Sequence, residues 1–216
     1  MTKSKLAIID FDDTLFDAEH FKKDIASVFT SFGVSPQIFW ESYKEARDSS
    51  DGKTLYTFDR HLQILTKDYI FIDIEKAKSE LDSLLNSATD YLFPDSLDFL
   101  NNLKKRGLDL ILLSLGEENF QFKKLEKTGL NSFFKQIFLV NDSKLNVLPK
   151  ILNDHSGRPI FINDKIKETK EVAQNYPHLY SILKTRSDVP LSEYQMSGLP
   201  FFNTLAEALT HLESII

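Results

Sequence analysis

In the stretch Ile8-Ile9-Asp10-Phe11-Asp12-Asp13-Thr14-Leu15, carboxylates fall at alternating positions directly after a short apolar run, Leu6 to Ile9. The run reads as a buried strand whose C-terminal end opens into a loop. A lone carboxylate at such an end is costly to bury, so it calls for a cation. Asp10 and Asp12 lie two residues apart and can converge on one hard ion such as Mg²⁺, which takes oxygen ligands. An ion that neutralises Asp10 also lets a phosphate approach, and a carboxylate can then attack phosphorus. The plain alternative is an acidic turn after a strand. Taken alone, the Asp-x-Asp spacing favours that turn; the full pattern, with Thr14 and two apolar flanks, is much more specific.

The elements that position this stretch follow from periodicity. After Asp17 the rhythm turns helical: Phe21, Ile25, Val28, Phe29 and Phe32 share a face, and Gly33 stops the helix. Ser35-Pro36 reads as an N-cap followed by proline in the first turn, with Ile38, Phe39, Trp40 and Tyr43 on the apolar side. Asp48-Ser49-Ser50-Asp51-Gly52 is a turn. Two more helices are expected, from Leu55 to Thr66 and from Ile74 to Ser87, so 18–88 forms a small helical module.

From Pro94 onward helices and strands alternate. Helices are expected over 95–105 and 118–127. Strands are expected at 108–113, ending at Ser114, then at 136–140, 159–162, 180–184 and 199–202. Pro149 falls in the first turn of a helix capped by Asn146, where its missing N–H costs nothing. A final helix starts near Leu205. Such alternation implies an α/β fold with a parallel sheet covered by helices on both faces. Ligands then bind beyond the C-terminal strand ends, where Asp10, Ser114 and Asp164 all fall.

Composition narrows the classes. The 216 residues suffice for one core and a modest insertion. A net charge of −6, from 26 basic and 32 acidic residues, argues against a large nucleic-acid face. With no cysteine there is no disulfide, zinc-thiolate site or thiol nucleophile. No apolar run approaches membrane-spanning length, and Met1-Thr2-Lys3-Ser4-Lys5 has no signal-peptide core. The expectation is a soluble cytoplasmic protein, monomeric or a small homo-oligomer. The five histidines form no close pair with metal-ligand spacing.

The apolar strand followed by Asp-x-Asp-x-Thr-Leu resembles the first motif of the haloacid dehalogenase (HAD) superfamily, in its phosphatase branch. The resemblance implies a Rossmann-like core formed by 1–17 and 89–216, with 18–88 as a helical cap inserted between the first and second motifs. It casts Asp10 as nucleophile and Mg²⁺ ligand. Asp12 becomes the general acid/base, with its backbone carbonyl as a further metal ligand; a carboxylate at this second position favours phosphate chemistry over carbon–halogen cleavage. Thr14 is expected to fix the turn through side-chain hydrogen bonds, and Asp13 to be solvated or structural.

Ser114-Leu115-Gly116, after Leu110–Leu113, matches the second motif and implies phosphate binding, with Gly116 permitting close approach to an anion. Lys144 is the candidate for the third motif. Lys150 is its competitor, and Leu145 to Leu152 resembles the downstream helix of the family. Asn163-Asp164-Lys165-Ile166-Lys167-Glu168 resembles the fourth motif, with Asp164 as a direct metal ligand and Glu168 acting through water. Asn163 replaces the commoner Gly or Asp. Among cap residues, Arg47, Lys53, Tyr56, Arg60 and His61 are polar candidates for substrate contact, although solvated surface is the simpler reading for each. The resulting expectation is a Mg²⁺-dependent phosphatase acting on a small phosphate ester, such as a sugar phosphate or nucleotide. The alternatives are a phosphomutase using the same aspartyl-phosphate, or a non-catalytic module on this fold.

Overall fold

The structure, a computed structural model, describes residues 5–49, 51–68, 72–153, 155 and 158–215. Met1 to Ser4 and Ser50, named above, lie outside the described residues. Six parallel strands form one sheet in the order β3-β2-β1-β4-β5-β6. They are β1 (Lys5–Ile9), β2 (Leu108–Leu115), β3 (Gln136–Val140), β4 (Ile160–Asn163), β5 (Tyr180–Lys184) and β6 (Phe201–Phe202). Ala7 is paired with Leu110 on one side and Ile160 on the other, so β1 is central.

The twofold side-chain period of β1 divides the core. Ala7 and Ile9 join Leu110, Leu112, Ile160 and Ile162 on one face, against Phe99, Leu100 and Leu103 of α5 (Ser96–Lys105) and Leu205 and Leu212 of α10 (Leu205–Leu212). Leu6 and Ile8 join Ile111, Leu113 and Phe161 on the other, against Leu148 and Ile151 of α7 (Leu148–Leu152) and Val172 of α8 (Ile166–Asn175). A strand covered on both faces must be apolar throughout, which is why β1 and β2 read as nearly unbroken hydrophobic runs.

Four α-helices form the insert between β1 and α5: α1 (Ala18–Ser31), α2 (Pro36–Arg47), α3 (Phe58–Asp68) and α4 (Ile74–Asn86). The Asp17 carboxylate caps α1 by accepting from His20 N at 2.8 Å, and Ser35 Oγ caps α2 from Ile38 N at 3.3 Å. Their inward residues, among them Phe29, Phe39, Leu65, Ala77 and Leu81, extend the core of the first sheet face.

Helix α3 begins at Phe58, three residues later than periodicity indicates. The segment before it is extended: Leu55 N donates to Arg47 O and Thr54 N to Asn141 O, which ties the helical insert to the loop after β3. Other elements also depart from expectation: α7 takes Val147 in place of Asn146 as its N-cap, because Asn146 closes a 3₁₀ turn. A short helix, α9 (Leu191–Ser197), fills the stretch before β6, and β6 is only two residues long. Helix α6 (Glu118–Lys127) has its expected bounds. Among the described residues no helix is long and apolar enough to cross a membrane.

Candidate active site

The strand order reverses direction beside β1, so the loops after β1, β2 and β4 open toward one crevice. Asp10 follows β1 and is anchored by its N–H to Ile162 O at 3.0 Å. The turn after it is held by backbone bonds: the N–H groups of Thr14, Leu15 and Phe16 all donate to Phe11 O. Asp13 takes the left-handed conformation at φ 58°. The expectation that the Thr14 hydroxyl fixes this turn is corrected. Thr14 Oγ1 is buried without a hydrogen-bond partner, because the backbone already satisfies the turn. Asp13 is buried and structural, its Oδ1 accepting from Glu19 N at 3.2 Å. Burial, reinforced by the charge of Asp12, pushes the Asp13 carboxyl up to about 6.

Lys144 opens a 3₁₀ turn, Lys144–Asn146, beyond β3 and is fully buried. Its Nζ lies 2.8 Å from Asp10 Oδ1 and 2.9 Å from Glu168 Oε2, and donates to Asn163 Oδ1 at 3.0 Å. Burial works against the ammonium charge, but Asp10 and Glu168 outweigh it and hold Lys144 above its ordinary range. Asn163 Nδ2 in turn donates to Glu168 Oε2 at 2.8 Å and to Thr169 Oγ1 at 3.0 Å. Asn163 therefore has a defined task here, orienting both the lysine and the second acid. Both contacts of Glu168 fall on its Oε2. Lys150, the competitor, places its Nζ over the Phe138 ring at 5.5 Å.

Asp164 is buried beside Asp10. Burial, then repulsion from Asp10, drives its carboxyl up to about 8. Its Oδ1 is buried and lacks a hydrogen-bond partner, while Oδ2 accepts from Arg186 Nη1 at 3.3 Å. Among the described residues no group of three or more His, Cys, Asp or Glu is gathered as a metal cage. The crowded pair Asp10–Asp164 with one orphaned oxygen nonetheless fits a hard divalent ion that keeps several waters.

Ser114 lies near the end of β2, where its Oγ accepts from Gln121 Nε2 at 3.4 Å. Leu115 O accepts from the same nitrogen at 3.0 Å, and Gly116 N donates to Val140 O at 2.7 Å. A Cβ on Gly116 would fall 2.5 Å from Gln121 Cγ, so the close approach this glycine permits is that of Gln121. Asp12 is held at both oxygens, by Lys124 Nζ at 2.5 Å on Oδ1 and Gln121 Nε2 at 2.7 Å on Oδ2. Burial alone would raise its pKa, but Lys124 and Gln121 together bring it below the usual carboxylate range.

A cleft of about 500 Å³ lies between the strand-end loops and the helical insert, with Asp12, Lys124, Gly116, Tyr43, Arg47 and Tyr56 in its wall. Of the polar candidates in the insert, Arg47 and Tyr56 thus face this cleft. Lys53 pairs with Asp51 at 2.7 Å, and Arg60 Nε donates to Ala46 O at 2.8 Å. The surface reading of His61 is corrected: it is wholly buried among aromatic rings, bonded to Ser42 Oγ at 2.8 Å and Tyr56 OH at 3.2 Å. Burial pushes its imidazole down to about 3, so it is neutral.

Sequence reasoning missed three residues: Lys124, Gln121 and Arg186. Arg186, in the loop after β5, reaches Asp13, Asp164, Glu19 and Asp188. No local signal marks it. Lys124 and Gln121 sit on the inward face of α6 while Phe122 on the same helix is exposed, a reversal of hydropathy visible only once the helix is placed.

Comparison with known proteins gives a consistent assignment. The family model of haloacid dehalogenase-like hydrolases matches residues 4–155. A curated relative, the glyceraldehyde 3-phosphate phosphatase of Methanothermobacter thermautotrophicus, is 28% identical over 141 residues, covering 62% of this chain and 61% of the relative. The match thus spans less than two thirds of that relative's length.

Among solved structures, a haloacid dehalogenase-like hydrolase from Xanthomonas campestris superposes with a TM-score of 0.68 at 15% identity, covering 99% of this chain and 92% of the other. The HAD-hydrolase candidate YfnB from Bacillus subtilis, solved with bound magnesium, gives 0.63 at 18% identity, covering 98% and 99%. These structural likenesses speak to the fold.

Proposed function

Because this chain belongs to the haloacid dehalogenase-like hydrolases, we propose that it is a Mg²⁺-dependent phosphatase of small phosphomonoesters working through an aspartyl-phosphate on Asp10. The observation that carries the reading is the buried contact of Lys144 with Asp10 and Glu168. An ammonium held there offsets the repulsion between an attacking carboxylate and a phosphate dianion.

In this reading Asp10 and Asp164, with the Asp12 carbonyl, hold the metal. Bound there, Mg²⁺ supplies charge neutralisation of the phosphoryl oxygens. Lys144 orients Asp10 through Oδ1, leaving the other carboxylate oxygen to attack phosphorus. An entering phosphate dianion raises the proton affinity of Asp12, an anion in the free site; so protonated, Asp12 gives the leaving oxygen its proton as the new P–O bond forms and the bond to that oxygen breaks. A water then attacks the phosphorus, Asp12 takes its proton, and the bond to Asp10 breaks to release inorganic phosphate. Glu168 and Asn163 move no proton; they fix Lys144.

The helical insert serves as a cap in this proposal. Its Tyr43, Arg47 and Tyr56 face the leaving group and limit the access of water. The cleft suits a small ester, in keeping with the sugar-phosphate or nucleotide class, and the enzyme would act in the cytoplasm. The test is phosphate release from a panel of phosphomonoesters with Mg²⁺ and with excess chelator. Release only with the metal supports the reading. Transfer back to substrate without phosphate release would make the protein a phosphomutase.

A further inference from the structure

We infer that Lys124 is a positioning residue which, with Gln121, pins the Asp12 carboxylate in the attitude it needs to move protons. The inference rests on the phosphatase reading, in which Asp12 serves both half-reactions. Lys124 lies on the buried face of α6, and its side chain is 6% exposed. An interior ammonium is costly unless paired, and a lysine in a helix ordinarily extends its head to water. Here the head is turned inward. Its Nζ is 2.5 Å from Asp12 Oδ1 and stands over the rings of Phe16, Phe11 and Phe120 at 5.0, 5.4 and 6.0 Å.

The ring faces favour the cation and leave it few other positions. Phe120 is itself fixed by edge contacts with Phe58 at 4.9 Å and Tyr56 at 5.5 Å, both from the helical insert. Gln121, one turn earlier on α6, bonds the other Asp12 oxygen at 2.7 Å while its amide is anchored to Leu115 O at 3.0 Å. Two donors on two oxygens fix the plane of the carboxylate. Each oxygen keeps a further lone pair, so a water or a leaving oxygen can still be served. Both donors of the clamp come from α6, and the insert closes its wall.

The test is a double-mutant cycle between Lys124→Met and Asp12→Asn, followed by rapid mixing with an activated aryl phosphate and Mg²⁺. Asp12→Asn keeps the initial burst of aryl alcohol, whose departure needs no acid, and slows the steady state, which needs a base. Lys124→Met is expected to give the same signature, with steady-state turnover reduced roughly 10-fold. In the Asp12→Asn background it should change turnover by less than about twofold, because the two act as a unit.

A merely structural role would slow turnover by the same factor in both backgrounds, and that result would overturn the inference. Normal turnover in Lys124→Met, or loss of the burst, would overturn it too. Should Lys124→Met fail to fold, Gln121→Met takes its place in the cycle, with the same non-additivity expected and the same additivity overturning it. Absence of metal-dependent turnover in the wild-type protein is a separate outcome: it would contradict the phosphatase reading, and this inference with it.

Discussion

Lys144 Nζ lies 2.8 Å from Asp10 Oδ1 with both side chains removed from solvent, and Glu168 shares the same ammonium at 2.9 Å. Removing one member of a buried charge set leaves the others without compensation, which costs about 3 kcal/mol or more. Lys144→Met should therefore lower stability as well as activity, with kcat/KM falling on the order of 10²-fold. Lys150→Ala, at a lysine resting on the Phe138 ring, should leave kcat/KM within about twofold of the wild type. Kinetics of both variants on one ester, with thermal melts, check the assignment. A crippled Lys150→Ala beside a normal Lys144→Met would reverse it.

Gly116→Ala should reduce turnover without unfolding the protein. The added Cβ would fall within 2.5–2.8 Å of the Gln121 side chain. Gln121 can yield only by releasing Asp12. We expect kcat to drop about 10-fold, as for a misplaced acid/base group, with a melting temperature near the wild-type value. Unchanged kcat would mean that the Gln121 contact does not matter to Asp12.

The metal-free protein should lose stability as pH rises. Asp164 is pushed up to about 8, first by burial and then by Asp10. A raised folded-state value means that its contribution is complete below the ordinary carboxylate range and is lost as pH climbs through about 8. Excess Mg²⁺ should flatten this fall, since an ion bound to the native state alone stabilises it. His61 gives the opposite limb: held neutral and pushed down to about 3 by burial, it withdraws stability as pH falls from its ordinary value near 6.5. Melts across pH with and without Mg²⁺ read both limbs. A metal-free profile flat from pH 5 to 9, on the order of the interval these groups span, would contradict the placement of Asp164.

Arg186→Met should tighten Mg²⁺ binding. The guanidinium contacts Asp164 Oδ2 at 3.3 Å and so competes with a cation for that carboxylate. Its removal also leaves Asp13 and Glu19 with one less positive neighbour. Calorimetric titration should give a lower Kd than for the wild type. Weaker binding would show that Arg186 supports the metal site instead of opposing it.

Much of this arrangement is legible in the chain because its signals are local. The apolar run Leu6 to Ile9 marks a doubly covered strand, and Ser35-Pro36 marks the start of α2 to the residue. Strand β3, strand β5 and helix α6 have their expected bounds for the same reason. The contacts of Lys144, Asp10 and Glu168 arise because parallel topology brings strand ends together.

What is not legible is tertiary. Lys124 and Arg186 acquire their partners across separations of 112 and 167 residues, with nothing local to mark either one. Thr14 misleads because the backbone of its own turn leaves its hydroxyl no work. His61 misleads because a polar residue on a helix reads as surface, whereas Ser42 and Tyr56 satisfy it inside the insert.

The central claim is that Asp10 carries the phosphoryl group, and it is tested most directly by quenching the protein with acid during turnover of a labelled phosphomonoester in Mg²⁺. Acid-stable, hydroxylamine-labile phosphate is expected on Asp10 of the wild-type protein. Neither label nor phosphate release is expected in Asp10→Asn, whose fold persists because Lys144 keeps Glu168 and Asn163. Phosphate release at an undiminished rate by Asp10→Asn, or label on any other residue, would contradict the claim.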